Sequence, residues 1–237
     1  MEIMKKIMAK NCDMYENETP TIVFLGDSVT NGCFELYKTD DGCIDTRFIL
    51  DEAYHNKLKN MLNRLYPNVP INIINAGISG DCAAGGCKRL ERDVLRFNPD
   101  LVVVCYGLND SQKGVDGLTE YATSLDEIFK KIECECIFMT PNMMATNIDG
   151  EIFDADILEI AKTITNIQNS GIMDKYMDTA RDSSKKNNVT VCDCYSIWKM
   201  LFENGVNITK LLANRLNHPT EEMHNLFAVE LLKIILN

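Results

Sequence analysis

Histidine and tryptophan are scarce in this chain, three and one in 237 residues. Chemistry that needs a side chain titrating near neutrality therefore has few carriers, and His55, His218 and His224 are all of them. Positive charge is also short: the formal net charge is −11, so the mean surface potential repels phosphate backbones and anionic headgroups. Neither nucleic acid nor a membrane is an expected partner. Eighteen apolar residues never run together, and the opening MEIMKKIMAKNCDMYENE has lysines but no apolar run of signal-peptide length. A cytoplasmic protein is expected. No glycine-rich phosphate motif opens the first helical stretch, which argues against a nucleotide binder.

Cysteine, in contrast, is plentiful. Ten cysteines in a chain of this size without a secretion signal read as reduced thiols, several of them inside apolar strand-like runs where Cys behaves as a small hydrophobe. The spacings Cys82-x4-Cys87, Cys134-x-Cys136 and Cys192-x-Cys194 do not match the paired C-x2-C pattern of structural zinc. No metal and no cofactor is expected.

With 25% charged and 46% apolar residues the composition is that of a globular protein rather than a disordered or fibrous one. No Pro-, Gly- or Ser-rich linker divides it. The expectation is one domain over residues 1–237, with 1–20 as an N-terminal extension.

Five short β-rich runs stand out: TIVFLG from Thr21, INIINAG from Ile71, LVVVCYG from Leu101, CIFMTP from Cys136 and VTVCDC from Val189. Most are continuously apolar, as strands covered on both faces are. Stretches with helical spacing occupy 52–66, 88–97, 118–132, 172–186 and 220–235, the last opening with Pro219, Thr220 and two glutamates. This alternation predicts a three-layer α/β/α sandwich around a five-stranded parallel, flavodoxin-like sheet. The non-periodic stretches Gly32–Asp51 and Asn142–Gly171 are expected to line or cover a site.

In such sheets ligands bind beyond the carboxyl ends of the strands. The first run ends in Gly26-Asp27-Ser28, the second in Asn75-Ala76-Gly77-Ile78-Ser79-Gly80-Asp81, the third in Gly107-Leu108-Asn109-Asp110. Each alone is a turn-forming sequence. Together with a histidine ahead of the terminal helix, they supply a nucleophile, oxyanion donors and a base.

These residues resemble the SGNH hydrolases, the GDSL-type lipase/acylhydrolase family. The motifs are FLGDSVTNG with Ser28, NAGISGD with Gly80, YGLND with Asn109 and NRLNHPT with His218, in the family's order. The resemblance implies a serine esterase, cleaving short-chain and above all acetyl esters, with acetylated carbohydrates as the favoured substrate class. Ser28 would attack the carbonyl as His218 takes its proton. The N–H groups of Ser28 and Gly80 and the amide of Asn109 would hold the oxyanion. Two alternatives share these residues: an acyltransferase with a sugar hydroxyl as acceptor, and a non-catalytic binding module on the same fold. Asp27, Tyr106 and Arg47 are the expected substrate contacts; Asp27 also suits the turn that presents Ser28. His55 and His224, inside helical stretches, rank as packing or surface residues.

One position departs from the family. Many members carry an aspartate three residues before the histidine, and here that residue is Arg215, which accepts no hydrogen bond through its side chain. Three arrangements follow. A main-chain carbonyl, that of Arg215 itself, orients the ring of a Ser-His dyad. A side-chain acceptor does so, from Asn214, Asn217 or, as the acidic candidate, Asp193. Or His218 is not catalytic. The first is the expectation adopted.

Overall fold

Thr21–Leu25 and Leu101–Val104 are runs of β-branched, leucine and aromatic residues without a charge, the composition of strands that meet solvent on neither face. In the computed structural model, which describes residues 1–237, both runs are strands at the centre of one sheet. In chain order the elements are α1 (Glu2–Cys12), β1 (Thr21–Gly26), a single turn α2 (Ser28–Asn31), β2 (Cys33–Lys38), β3 (Ile44–Phe48), α3 (Tyr54–Leu65), β4 (Asn72–Gly77) and α4 (Ala83–Asp93). There follow β5 (Leu101–Cys105), α5 (Leu118–Lys131), β6 (Glu135–Met139), α6 (Ala155–Asn169), α7 (Ile172–Lys186), β7 (Thr190–Cys192), α8 (Cys194–Glu203) and α9 (Glu221–Leu236). Short 3-10 segments join several of them.

The sheet runs β4-β1-β5-β6-β7, every pair parallel. Ile22–Leu25 and Leu101–Cys105 are fully buried, because helices cover both faces. On one side α3 packs on α9, joined by α1 and α8; on the other α5 packs on α4 and α7. This is a three-layer α/β/α sandwich with flavodoxin-like strand order. The chain leaves β1 for one neighbour, β4, and then crosses to the other, β5, so a crevice opens at the carboxyl end of β1. Gly26 pairs with both Gly77 and Cys105, so the residues that follow these three strands emerge at one level.

Gly77 allows α2 to pass close above β4. A Cβ there would meet the main-chain N of Asn31 at 2.3 Å and the carbonyl carbon of Thr30 at 2.6 Å, which backbone cannot relieve.

The five expected strands and five expected helices are all present, with ends moved by a few residues. Six further elements, the single turn α2 among them, lie where none was expected. Residues 1–20 carry α1, whose Ile3 and Ile7 are fully buried in the core. Gly32–Asp51 folds into the antiparallel hairpin β2–β3. Asn142–Gly171 contains α6, and α8 follows β7 directly. α6 is rich in Ile and Thr, which weakens the helical signal, but Asp154 at its N-cap accepts from the N–H groups of Asp156 and Ile157. An Asx cap ahead of the run was the sign to read. No helix is long and apolar enough to cross a membrane.

Candidate active site

Ser28 opens α2 immediately beyond β1, where main-chain N–H groups have no partner within a helix. Asp27 forms the N-cap, accepting the N–H of Val29 at 3.0 Å. The turn ends at Gly32, at φ +92°. The sharp strand-to-helix corner leaves Ser28 4% exposed, its Oγ 3.0 Å from Nε2 of His218, which is itself 5% exposed.

His218 lies on the turn before α9, and that turn is organised by one side chain. Oδ1 of Asn214 accepts the N–H groups of Leu216, Asn217 and His218, each at 2.9 Å, while its Nδ2 donates to Oδ1 of Asn217 at 2.9 Å. Ala213 N–H donates to the carbonyl of His218 at 2.7 Å. The imidazole is thereby held through its backbone. Asn214 acts on the main chain of the turn, not on the ring.

The ring is oriented by Nδ1, 2.9 Å from the main-chain carbonyl of Phe34 in β2. Since that oxygen can only accept, Nδ1 carries the proton and Nε2 is left with a lone pair facing Ser28 Oγ–H. Burial lowers the pKa of His218 to about 4, against a partial upward pull from Phe34. The neutral, proton-accepting form is therefore the resting state at pH 7.

The main-chain carbonyl at Nδ1 belongs to Phe34 and not to Arg215, the residue expected there. Arg215 has left-handed backbone, φ +57°. Its guanidinium donates to the carbonyls of Leu212 and Lys210 at 2.9 and 3.2 Å and pairs with Asp149 at 3.3 Å. Its carbonyl does not serve the ring. Asp193 is not the orienter either. It caps α8, and its carboxylate is taken by Arg181, Ser196 and Thr140.

The other donors proposed for an oxyanion follow the ends of β4 and β5, the two strands that flank β1. Gly80 is exposed at φ +78°, where a side chain would be strained. The Nδ2 of Asn109, just beyond β5, donates to the carbonyl of Asp81 at 2.9 Å and has a second N–H to offer. Ile78 N–H donates to the carbonyl of Gly26 at 3.1 Å, tying the Gly80 loop to the corner that bears Ser28.

The three expected substrate contacts fare differently. Asp27 is fully buried, with one oxygen used as the helix cap; burial, then the neighbouring Asp110 and Asp81, raise its pKa to about 7. It has no surface to offer a substrate. Tyr106 is also fully buried, its hydroxyl held by Asp81 at 3.0 Å and Arg89 at 2.8 Å; it braces the Gly80 loop from beneath. Both are corrected to structural roles, because each sits on the inner side of its turn. Arg47 is exposed on β3. Met143 and Met144 are core residues. His55 and His224 are buried among Phe24, Tyr54, Phe34 and Phe227. His55 meets the carbonyl of Thr30, and His224 accepts the N–H of Tyr54, each at 3.1 Å.

The residue that sequence reasoning missed is Phe34. Beside it lies a groove of about 470 Å³ between Glu35 of β2, Phe153 and Asp154 at the start of α6, and Asn214–Arg215.

Residues 24–226 match the model of the GDSL-like Lipase/Acylhydrolase family. An acetylxylan esterase from Geobacillus stearothermophilus is 30% identical over 95 residues, which are 40% of this chain and 42% of that protein. The aligned part is thus less than half of the curated relative. Among solved structures, a lipase/acylhydrolase from Enterococcus faecalis superposes with a TM-score of 0.67 at 20% identity, over 92% of this chain and 95% of that one. A catalytic mutant of an acetylxylan esterase from Geobacillus stearothermophilus gives 0.66 at 22%, over 90% and 93%. At such identities the superpositions speak for the fold. The family match spans most of the chain and every motif named above, from FLGDS to NHPT: the chain belongs to the GDSL-like Lipase/Acylhydrolase family.

Proposed function

We propose that the protein is a serine esterase that hydrolyses short-chain, chiefly acetyl, esters through an acyl-enzyme on Ser28. The observation that carries this reading is the 3.0 Å contact between Ser28 Oγ and a His218 kept neutral by burial. As Oγ attacks the ester carbonyl, its proton passes to Nε2, giving an imidazolium still bonded through Nδ1 to Phe34. Collapse of the tetrahedral intermediate releases the alcohol, which leaves with the Nε2 proton. Water then enters, His218 takes one of its protons, the hydroxide attacks the acyl carbonyl, and as the bond to Oγ breaks Nε2 returns that proton to Ser28, freeing the acid.

The negative charge that develops on the carbonyl oxygen would be held by the N–H groups of Ser28 and Gly80 and by Asn109, donors fixed before substrate arrives. Acetylated sugars are the substrates the reading favours. Support comes from the acetylxylan esterase relative and from the groove beside Asn214, where an 89% exposed Phe153 stands among the carboxylates of Glu35, Glu151 and Asp154. A flat apolar ring with acceptors around it suits a sugar's alternating C–H and O–H faces. Arg47, exposed on β3, remains a proposed contact. A reducing, cytoplasmic setting suits the ten free cysteines.

The test is a panel of p-nitrophenyl acetate, butyrate and octanoate with acetylated xylo-oligosaccharides, run on wild type and Ser28→Ala. Turnover that falls with acyl length and vanishes in Ser28→Ala is expected. Wild type inert on the whole panel would end the reading, and product formation only with an added sugar acceptor would replace it with acyl transfer.

A further inference from the structure

Arg89 is a charged residue on α4 whose side chain is only 8% exposed. A guanidinium has five N–H groups, and here each has a partner. Nε donates to Oδ2 of Asp81 at 2.8 Å. Nη1 donates to the carbonyl of Ala76 at 2.6 Å and to Asp93 at 3.3 Å. Nη2 donates to the carbonyl of Gly26 at 3.0 Å and to the hydroxyl of Tyr106 at 2.8 Å.

These partners are the roots of all three candidate oxyanion donors. Gly26 is two residues before Ser28, and Ala76 is four before Gly80. Asp81 directly follows Gly80, and its carbonyl accepts the amide of Asn109 at 2.9 Å. Tyr106, three residues before Asn109, donates its hydroxyl to the same oxygen of Asp81 that Arg89 holds, at 3.0 Å. A single planar cation therefore spans the carboxyl ends of β1 and β4 and the residue beyond β5. Burying it has a desolvation cost that only complete pairing offsets, so a surface cation would have been the simpler choice for stability alone.

We propose that Arg89 is the positioning residue of the oxyanion site: it sets the spacing of Ser28, Gly80 and Asn109 by tying Gly26, Ala76, Asp81 and Tyr106 to one rigid fork. It touches no substrate. The inference rests on the esterase reading, and it assigns that site a determinant outside the crevice. Because the donors act on charge that develops only in the transition state, a small displacement lowers kcat and leaves substrate binding nearly unchanged.

Arg89→Lys keeps the charge and loses the fork. With wild type and Ser28→Ala as active and inactive references, we expect kcat on p-nitrophenyl acetate to fall about 10- to 100-fold, with KM within about threefold. Affinity for a methylboronic acid, which mimics the tetrahedral intermediate, should weaken in proportion to kcat. A folded Arg89→Lys with wild-type kcat, or one whose loss lies wholly in KM, overturns the proposal while Ser28-dependent turnover still stands. Wild type without turnover ends the esterase reading and this inference with it. Should Arg89→Lys not fold, Tyr106→Phe decides: it removes one link of the same bracket, and kcat lowered about threefold or more at unchanged KM is expected, whereas unchanged kcat overturns the proposal.

Discussion

Nδ1 of His218 lies 2.9 Å from the main-chain carbonyl of Phe34, although 184 positions separate the two residues. A backbone oxygen does for the ring what an aspartate does in other members of the family, selecting the tautomer and fixing the orientation. It carries a partial rather than a full charge. Acidic side chains should then be dispensable for the reaction: His218→Ala is expected to lose at least about 1,000-fold in kcat, while Asp193→Asn keeps activity within about tenfold and loses mainly stability. An equal collapse of the two, measured on p-nitrophenyl acetate, would restore a triad.

Placing the family's acid back at position 215 should not help. With φ at +57° the side chain points toward Asp149, whose own side chain is 3% exposed. Arg215→Asp would set one carboxylate beside another and remove the guanidinium bonds to two carbonyls. We expect no gain in kcat and a lower Tm by several degrees, and a gain of tenfold or more would show that a carboxylate at 215 reaches the imidazole.

The pH dependence follows from the direction of the His218 shift. Burial lowers its pKa to about 4, so the neutral base is present above that value and is lost as pH falls through it. The acid limb of kcat/KM should lie near pH 4, with no inflection at the ordinary histidine value of 6.5. Rates collected from pH 3.5 to 8, with circular dichroism at each point to separate unfolding, test this.

Asn109 is half-buried and bonded only to the Asp81 carbonyl and Gln112. Asn109→Ala should cost about 100- to 1,000-fold in kcat with little change in Tm. A large loss of stability with kcat preserved would make it a turn residue.

Asp27 is raised to about 7 by burial, so between about pH 4 and 7 the folded protein retains a proton that the unfolded chain has released. Stability at this site is therefore present at low pH and lost as pH rises through 7. Asp27→Asn carries no charge to bury. Urea unfolding should find it more stable than wild type at pH 8, by up to a few kcal/mol at about 1.4 per pKa unit, with the difference vanishing near pH 4. The buried histidines are common to both proteins and cancel. A difference independent of pH would place the charge of Asp27 elsewhere.

The apolar runs from Thr21 and Leu101 could only be strands covered on both sides, and their spacing with helical stretches is what produces the sandwich. Ser28, Gly80 and Asn109 were legible because each follows a strand end, His218 because it stands just ahead of the last helix, and all four belong to motifs of definite residue types. Local pattern carries this information, since hydrophobic period and turn chemistry act within a few residues. The contacts that organise the site are of another kind. Phe34 reaches His218 through a carbonyl that every residue possesses, so no residue type marks it. Arg215 is turned outward by a backbone angle that its identity does not announce. Asp27 and Tyr106 stand in the right motifs yet face inward. Those outcomes depend on which elements the sheet brings together, and only the folded chain decides that.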